Sequence, residues 1–486
     1  MRSATVSRPR SGRTLGLLSA YVALLYLLPP RLVLRGPLGS AGRPAMVLGM
    51  GLAVLWWLGR LRPDDGGHRP TPTRWLIGGY LAAWCLSVAF AYERGLSPIE
   101  SSGAERYLLL IGSLVGTALV VCDSIGDRAT LDALLRRLTW AGALSGVIGL
   151  VQFRFKVNVA GWISAPGLRL DAPSGGLDTR GSSGFARALG TAGHPIEFAV
   201  LSALLLPLAL HYALLSADRA QAQRRWTIVA LVSLGVPLSV SRSGIVALAL
   251  VAAVVLRLWR PAAQRVGWVV FGVSVVVLRL AVPGLVGTLV SFFQNASTDN
   301  SVTGRTQDYA AVADLVGRRP LFGLGGGTFR PEEYFILDNY WLNALLSTGL
   351  VGTVALAAML CGSYAMAIRI ARSTDDVSTA SLATSLAASI AGAIGVSFTF
   401  DSFNFSSFAG TMFVLVGAIG ALWRLRDQPG RAPAAGEARL TWTVKARTQR
   451  QARLTLLAQQ GARSAEPAGR DPISEPHRSA RGATRP

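Results

Sequence analysis

Stretches of about 17–25 mostly apolar residues recur along this chain, each roughly long enough to cross about 30 Å of hydrocarbon as a helix. Charged and Pro/Gly-rich breaks separate them. The spans fall near 14–30, 44–59, 75–92, 107–122, 138–153, 195–216, 226–240, 243–259, 266–290, 342–368, 379–398 and 407–423. The predicted fold is an all-α polytopic membrane protein of about twelve transmembrane helices, with a large external loop between the ninth and tenth. A content of 51% hydrophobic and 15% charged residues over 486 positions agrees, since no soluble domain of this size needs so much apolar surface. The first span is a signal-anchor at most: Arg2, Arg8, Arg10 and Arg13 precede it and no small-residue cleavage site follows.

A formal charge of +22 raises the question of nucleic acid, and its distribution answers it. With the N-terminus placed in the cytoplasm, the inner segments are mostly short and hold the larger share of Lys and Arg. That bias orients both termini to the cytoplasm. The basic excess is thus a membrane-protein signature, and no nucleic-acid partner is expected. Residues 1–426 read as the transmembrane domain and 427–486 as a disordered basic cytoplasmic tail suited to anionic lipid headgroups, at about 1 kcal/mol per cation near the surface. Cys85, Cys122 and Cys361 lie in or at the ends of apolar spans, without CxxC spacing or histidine partners. Neither zinc nor a disulfide framework is indicated. There is no P-loop, dinucleotide fingerprint, HExxH or acidic metal cluster, so no cofactor or metal is expected; "GLGGG" (323–327) reads as a turn.

Topology gathers the unusual polar residues on one side. Arg180, Arg187 and His194 lie on the outer loop 154–194, and Arg242 in the tight outer turn "SVSRSG". Arg305, Arg330, Glu332, Glu333 and Asp338 lie on the outer loop 291–341, and Asp401 in the last outer turn. Within 291–341, "TQDYAAVADLVG" has helical apolar spacing that Pro320 and the glycines end. Guanidinium groups bind phosphate oxygens in bidentate fashion and stay charged. A membrane-embedded arginine costs about 2.5–3.5 kcal/mol on insertion scales and normally has a partner, which a lipid-linked diphosphate would supply at headgroup depth. Snorkelling to the interface is the competing explanation for each arginine, weakest for Arg242 in its short turn and strongest for Arg279 inside a span.

Four segments, in order, resemble the O-antigen ligase/O-antigen polymerase family of polytopic glycosyltransferases. "RALGTAGHPIEFA" (187–199) resembles the family's Arg-x-x-Gly…Asn-Pro segment, and "LSVSRSGIVALAL" (238–250) its Ser-Arg-Gly/Ser segment. "GRTQDYAAVADLVGRRPLFGLGGGTF" (304–329) resembles the Arg…Pro-Leu-x-Gly-x-Gly-x-Phe loop. "DNYWLNALLSTGLVGTVAL" (338–356) resembles the His-Asn-x-x-Leu…Glu-x-Gly-x-x-Gly signature. The resemblance implies metal-independent glycan transfer from a polyprenyl-diphosphate carrier to an acceptor hydroxyl outside the membrane. It implies a fold similar to the peptidoglycan polymerases of the SEDS group. Arg187, Arg242 and Arg305 would hold the diphosphate as charge develops on it.

One departure stands out. Asp338 occupies the place where the family often has the histidine that activates the acceptor, and His194 the place where many relatives have asparagine. Asp338 is either the general base, as an aspartate is in SEDS-type enzymes, or a helix N-cap before an apolar run. His194 before Pro195 is likewise either a displaced base or a helix start. Arg180, Glu197, Asn339 and Tyr340 are further candidate substrate contacts, Glu197 alternatively a partner of the helix dipole. The expected activity is a polysaccharide polymerase acting on lipid-linked repeats, with other polysaccharide-assembly proteins as candidate partners. A ligase to another lipid, polymer or protein is the nearest alternative. A glycolipid transporter is the second class, although transporters tend to set charges at the midplane and to show repeats.

Overall fold

Prolines and capping side chains start most helices near the edges of the apolar windows. Pro44, Pro72, Pro98 and Pro195 stand at helix starts, where the missing N–H costs nothing. Ser97 and Glu100 form a reciprocal capping box, and Asp127, Asp218 and Asp376 accept bonds from the first turns of their helices. A computed structural model describes residues 9–61, 71–171, 176–180, 185–258, 311–330 and 334–426, with isolated positions between 264 and 309. All belong to the compact unit Met1–Ala432. The tail 427–486, Arg279, Arg305, Glu332 and Glu333 lie outside the described residues.

The helices are α1 (Pro9–Leu27), α2 (Pro44–Arg60), α3 (Pro72–Glu93), α4 (Pro98–Ser124), α5 (Arg128–Phe155), α6 (Pro195–Leu214), α7 (Arg219–Ser233), α8 (Gly235–Leu238), α9 (Arg242–Leu258), α10 (Tyr340–Ser373), α11 (Val377–Val396) and α12 (Ser406–Leu425). Among the described residues, seven are long and apolar enough to cross a membrane: α3–α6 and α10–α12. The other expected spans coincide with shorter helices, and 266–290 falls mostly outside the described residues. The seventh expected span is divided between α7 and α8, which are separated at Leu234. α12 and α6 form the centre of the bundle, the most deeply buried of the seven. α12 lies against α4, α10 and α11, and α6 against α7, α9 and α11. Among the described residues, two short antiparallel pairs interrupt the helical fold. β1 (Leu32–Leu34) pairs with β2 (Leu168–Leu170), and β3 (Thr179–Arg180) with β4 (Phe185–Ala186).

The span expected at 342–368 belongs to a longer helix that is broken. Within α10, Gly349 has φ +63° and ψ −165°, which no helix permits. The groups freed by the break are taken up by the glycine-rich loop. Leu324 and Gly325 donate to the carbonyls of Leu346 and Ser347 (2.8 and 2.9 Å), while Leu350 and Val351 donate to Pro320 and Leu321 (2.8 and 3.1 Å). Non-helical backbone at membrane depth persists only where protein satisfies it, and this loop does so. The helix expected at 306–317 spans 311–318 among the described residues, and Val312 packs with Leu337 and Leu346.

Polar groups are not confined to one end of the bundle, contrary to the sequence expectation. At the end opposite the 154–194 loop, Asp123 is held by Arg60 (2.8 Å) and Arg74 (3.0 Å), clamping α2, α3 and α4. Tyr212 donates to Asp132 nearby at 3.0 Å. These groups satisfy one another across helices, as buried charges must.

Candidate functional site

Segment 187–194 is held rigidly from below by α5. Gln152, fully buried, accepts from the N–H of Leu189 and Gly190 (3.0 and 2.7 Å) and donates to the Gly190 carbonyl (2.8 Å). Ser145 accepts from the N–H of Thr191 at 3.2 Å. The same segment is tied to the turn before α9. Ala188 donates to Leu238 O (3.0 Å), and Arg187 Nε to Ser239 O (3.3 Å). Arg187 and the turn carrying Arg242 are thus brought together from 55 positions apart in the chain. Arg187 is buried and also faces Asp178 at 3.8 Å. Within that turn Val240 has φ +50°, a costly backbone for a β-branched residue, on the order of 1–3 kcal/mol. Arg180 stands on β3, its backbone opposite Phe185. Arg305 lies outside the described residues.

The two candidate bases differ in what their side chains already do. His194 is the N-cap of α6: its Nδ1 accepts from the N–H of Ile196 at 3.2 Å. Burial pushes its imidazole down to about 4, with Arg187 and Arg31 adding to the effect and Asp178 and Asp338 opposing it. A neutral ring whose Nδ1 accepts must carry its proton on Nε2 and present a donor there. For α10 the cap is Asn339, which accepts from Trp341 (3.0 Å) and Leu342 (3.3 Å). The cap reading of Asp338 is therefore corrected: the amide one residue later does that work. Asp338 is partly buried, and its charge reaches both His194 and Asp401.

The remaining candidates are largely occupied. Glu197 is fully buried and accepts from the N–H of Gly193 (2.7 Å) and Phe408 (3.0 Å), joining the starts of α6 and α12. That geometry follows the helix-start half of its reading. Tyr340 is buried with its ring 4.8 Å from Phe403.

Asp401 is the group that sequence reading noted without assigning to the site. Its carboxylate accepts from Asn343 Nδ2 (3.1 and 3.2 Å) and from Asn404 Nδ2. Asn404 in turn accepts from the Tyr107 hydroxyl at 3.2 Å. Burial raises the Asp401 carboxyl to about 7, the two asparagines pull it down, and Asp338 pushes it further up. The only signal in the sequence was an acid between aromatics, "FTFDSFNF". A carboxyl raised on folding makes stability fall as pH climbs from its unfolded value of 3.8 through about 7. His194, lowered on folding, acts oppositely and only between about 4 and 6.5. We therefore expect melting temperature to fall between pH 6.5 and 8, and Asp401→Asn to flatten that slope. An equal slope in the variant counts against the assignment. Among the described residues no three His, Cys, Asp or Glu side chains converge on one point.

Residues 227–357 match the family described as O-antigen ligase. Arg242, the glycine-rich loop, Asp338 and the break at Gly349 all fall inside the match, whereas Arg180, Arg187, His194, Glu197 and Asp401 fall outside it. The match takes in three of the four motifs, 238–250, 304–329 and 338–356, and leaves 187–199 outside; it supports the O-antigen ligase/polymerase resemblance, and the apolar helices indicate a multi-pass membrane protein. No curated protein matches the chain.

Proposed function

We propose that this protein polymerises a cell-surface polysaccharide on the outer face of the bacterial cytoplasmic membrane. It would move a glycan from a polyprenyl-diphosphate carrier to a hydroxyl of a second lipid-linked repeat. The observation that carries the reading is the tie between Arg187 and the Arg242 turn, with Asp338 within charge reach of His194 beside them. The acceptor oxygen attacks the anomeric carbon, its proton passes to Asp338, and the bond from that carbon to the diphosphate oxygen breaks. The charge that develops on the leaving diphosphate is met by Arg187, Arg242 and Arg305, so the step is metal-independent. His194 serves as a donor through Nε2, because its Nδ1 is engaged at the helix start.

Purified protein supplied with lipid-linked oligosaccharide should yield a ladder of longer glycans; a transporter would move the substrate unchanged. The description of the matched family favours a second reading, a ligase that attaches a finished glycan to another lipid, polymer or protein. Product analysis separates the two, since a ligase yields one transfer and no ladder. Arg242→Lys keeps the charge and loses the planar fork, and Arg242→Ala loses both. We expect transfer to fall in both, by about 10²-fold or more in the alanine variant. Near-normal transfer by Arg242→Ala would make the diphosphate role untenable.

A further inference from the structure

Between α2, α3, α4, α10 and α12 lies a cleft with about 570 Å³ free of protein atoms, counting its open mouth. Its walls include Tyr80, Trp84, Tyr107 and Tyr340, with Arg43 and Asn404 supplying polar atoms. The Trp84 and Tyr107 rings are parallel within 2° at 6.2 Å, and Tyr80 meets Trp84 edge-on at 6.4 Å. Backbone of the glycine-rich loop presses on this wall from behind: a Cβ at Gly326 would sit 2.4 Å from the Trp84 ring. The loop that closes the helix break therefore also sets the aromatic wall.

Arg43 is the unusual member. It stands just before α2, and its Nε donates to the Pro30 carbonyl at 2.9 Å. Among the described residues no carboxylate forms an ion pair with it. Glu197, Asp171 and the Tyr107 phenol lie within reach of its charge without bonding to it. Arg43 is only partly buried, and its outer nitrogens form a fork that matches a carboxylate. Aromatic faces beside it suit a flat apolar face, which a sugar ring has and a diphosphate lacks. Asn404 and the Tyr107 hydroxyl lead from the cleft to Asp401, and Tyr340 stands two residues from Asp338.

We propose that this cleft is the acceptor subsite and that it takes an acidic sugar, a uronic-acid-type residue stacked on the Trp84–Tyr107 wall with its carboxylate on Arg43. The proposal deepens the transfer reading and rests on it for the word acceptor. The binding itself is testable without turnover.

The experiment is saturation-transfer NMR on the full-length protein in detergent, with methyl glucuronoside, methyl glucoside and inorganic diphosphate as probes. We expect the glucuronoside to bind about tenfold more tightly than the glucoside, a difference of the size one charge-assisted pair supplies. Arg43→Gln should erase that preference, and Trp84→Ala should weaken both sugars. Arg43→Lys keeps the cation and should retain part of the preference, so a glutamine variant that fails to fold leaves the test intact. Equal binding of the two glycosides overturns the proposal. So does an unchanged preference in a folded Arg43→Gln. Displacement of the glucuronoside by inorganic diphosphate also overturns it, because Arg43 would then serve the carrier. A protein that binds the glucuronoside through Arg43 yet transfers no glycan to any acceptor overturns the transfer reading and leaves the acidic-sugar site standing.

Discussion

Asp338→Asn is expected to stop glycan transfer in a protein that still folds, reaches the membrane and binds its donor. Loss of a general base typically costs about 10²–10⁴-fold in rate. The substitution leaves the start of α10 intact, since Asn339 bonds the N–H of Trp341 and Leu342. The complementary variant, Asn339→Ala, removes the cap and should cost about 0.5–2 kcal/mol of stability, with a smaller loss of rate. His194→Asn replaces one capping side chain with another, so α6 should start normally and transfer should remain within about tenfold of wild type. Rates with lipid-linked oligosaccharide, read beside membrane abundance, separate the three. If Asp338→Asn transfers normally while His194→Asn is inactive, the base has been assigned to the wrong residue.

The second large effect is structural. Gly349→Ala should unfold the junction between the glycine-rich loop and α10. The native φ and ψ lie in a region essentially closed to residues with a Cβ, a strain of about 1–3 kcal/mol. The added carbon would also sit 2.3 Å from the Leu321 carbonyl oxygen, so the loop must move. Its displacement releases the four hydrogen bonds that fill the helix break, each worth roughly 1 kcal/mol and more when left unmade. We expect a sharp drop in melting temperature and in abundance, and loss of transfer as the Trp84 wall loosens. Gly112→Ala is the control: it lies inside α4, its Cβ would meet nothing within 4 Å, and it should be neutral or slightly stabilising. Wild-type melting of Gly349→Ala would show that the break is not held as described.

Much of the architecture is legible in the chain because its signals act locally. Apolar windows mark the helices, and Pro98 with Ser97 and Glu100 marks a start within one turn. The motif around Arg242 and the glycine-rich loop identified a family that residues 227–357 then matched. Asp338 and Asn339 show where local signals end. Both side chains cap helices well, they are adjacent, and only the extended backbone of Asn339 (φ −153°, ψ 110°) decides which one turns onto the N–H groups. Gly349 sits within the apolar span 342–368 that reads as continuous helix, and its break is filled by residues 320–325, which dock there from outside the helix.

Asp401, Gln152 and Arg43 make the same point through electrostatics and packing. Nothing beside Asp401 in sequence raises its carboxyl; burial does so, with Asp338 adding to it from 63 positions away. Gln152 reads as a polar residue near a helix end, yet it bonds three backbone groups of the 187–194 segment. Arg43 reads as one more basic loop residue until α3, α4 and α10 bring aromatic rings around it. Chain-local preferences decide where helices start and stop, because caps and apolar periodicity act over a turn or two. Charge, desolvation and ring stacking act over distances in space, so the raised carboxyl of Asp401, the aromatic cleft and the division of labour between Asp338 and Asn339 were settled by the tertiary structure alone.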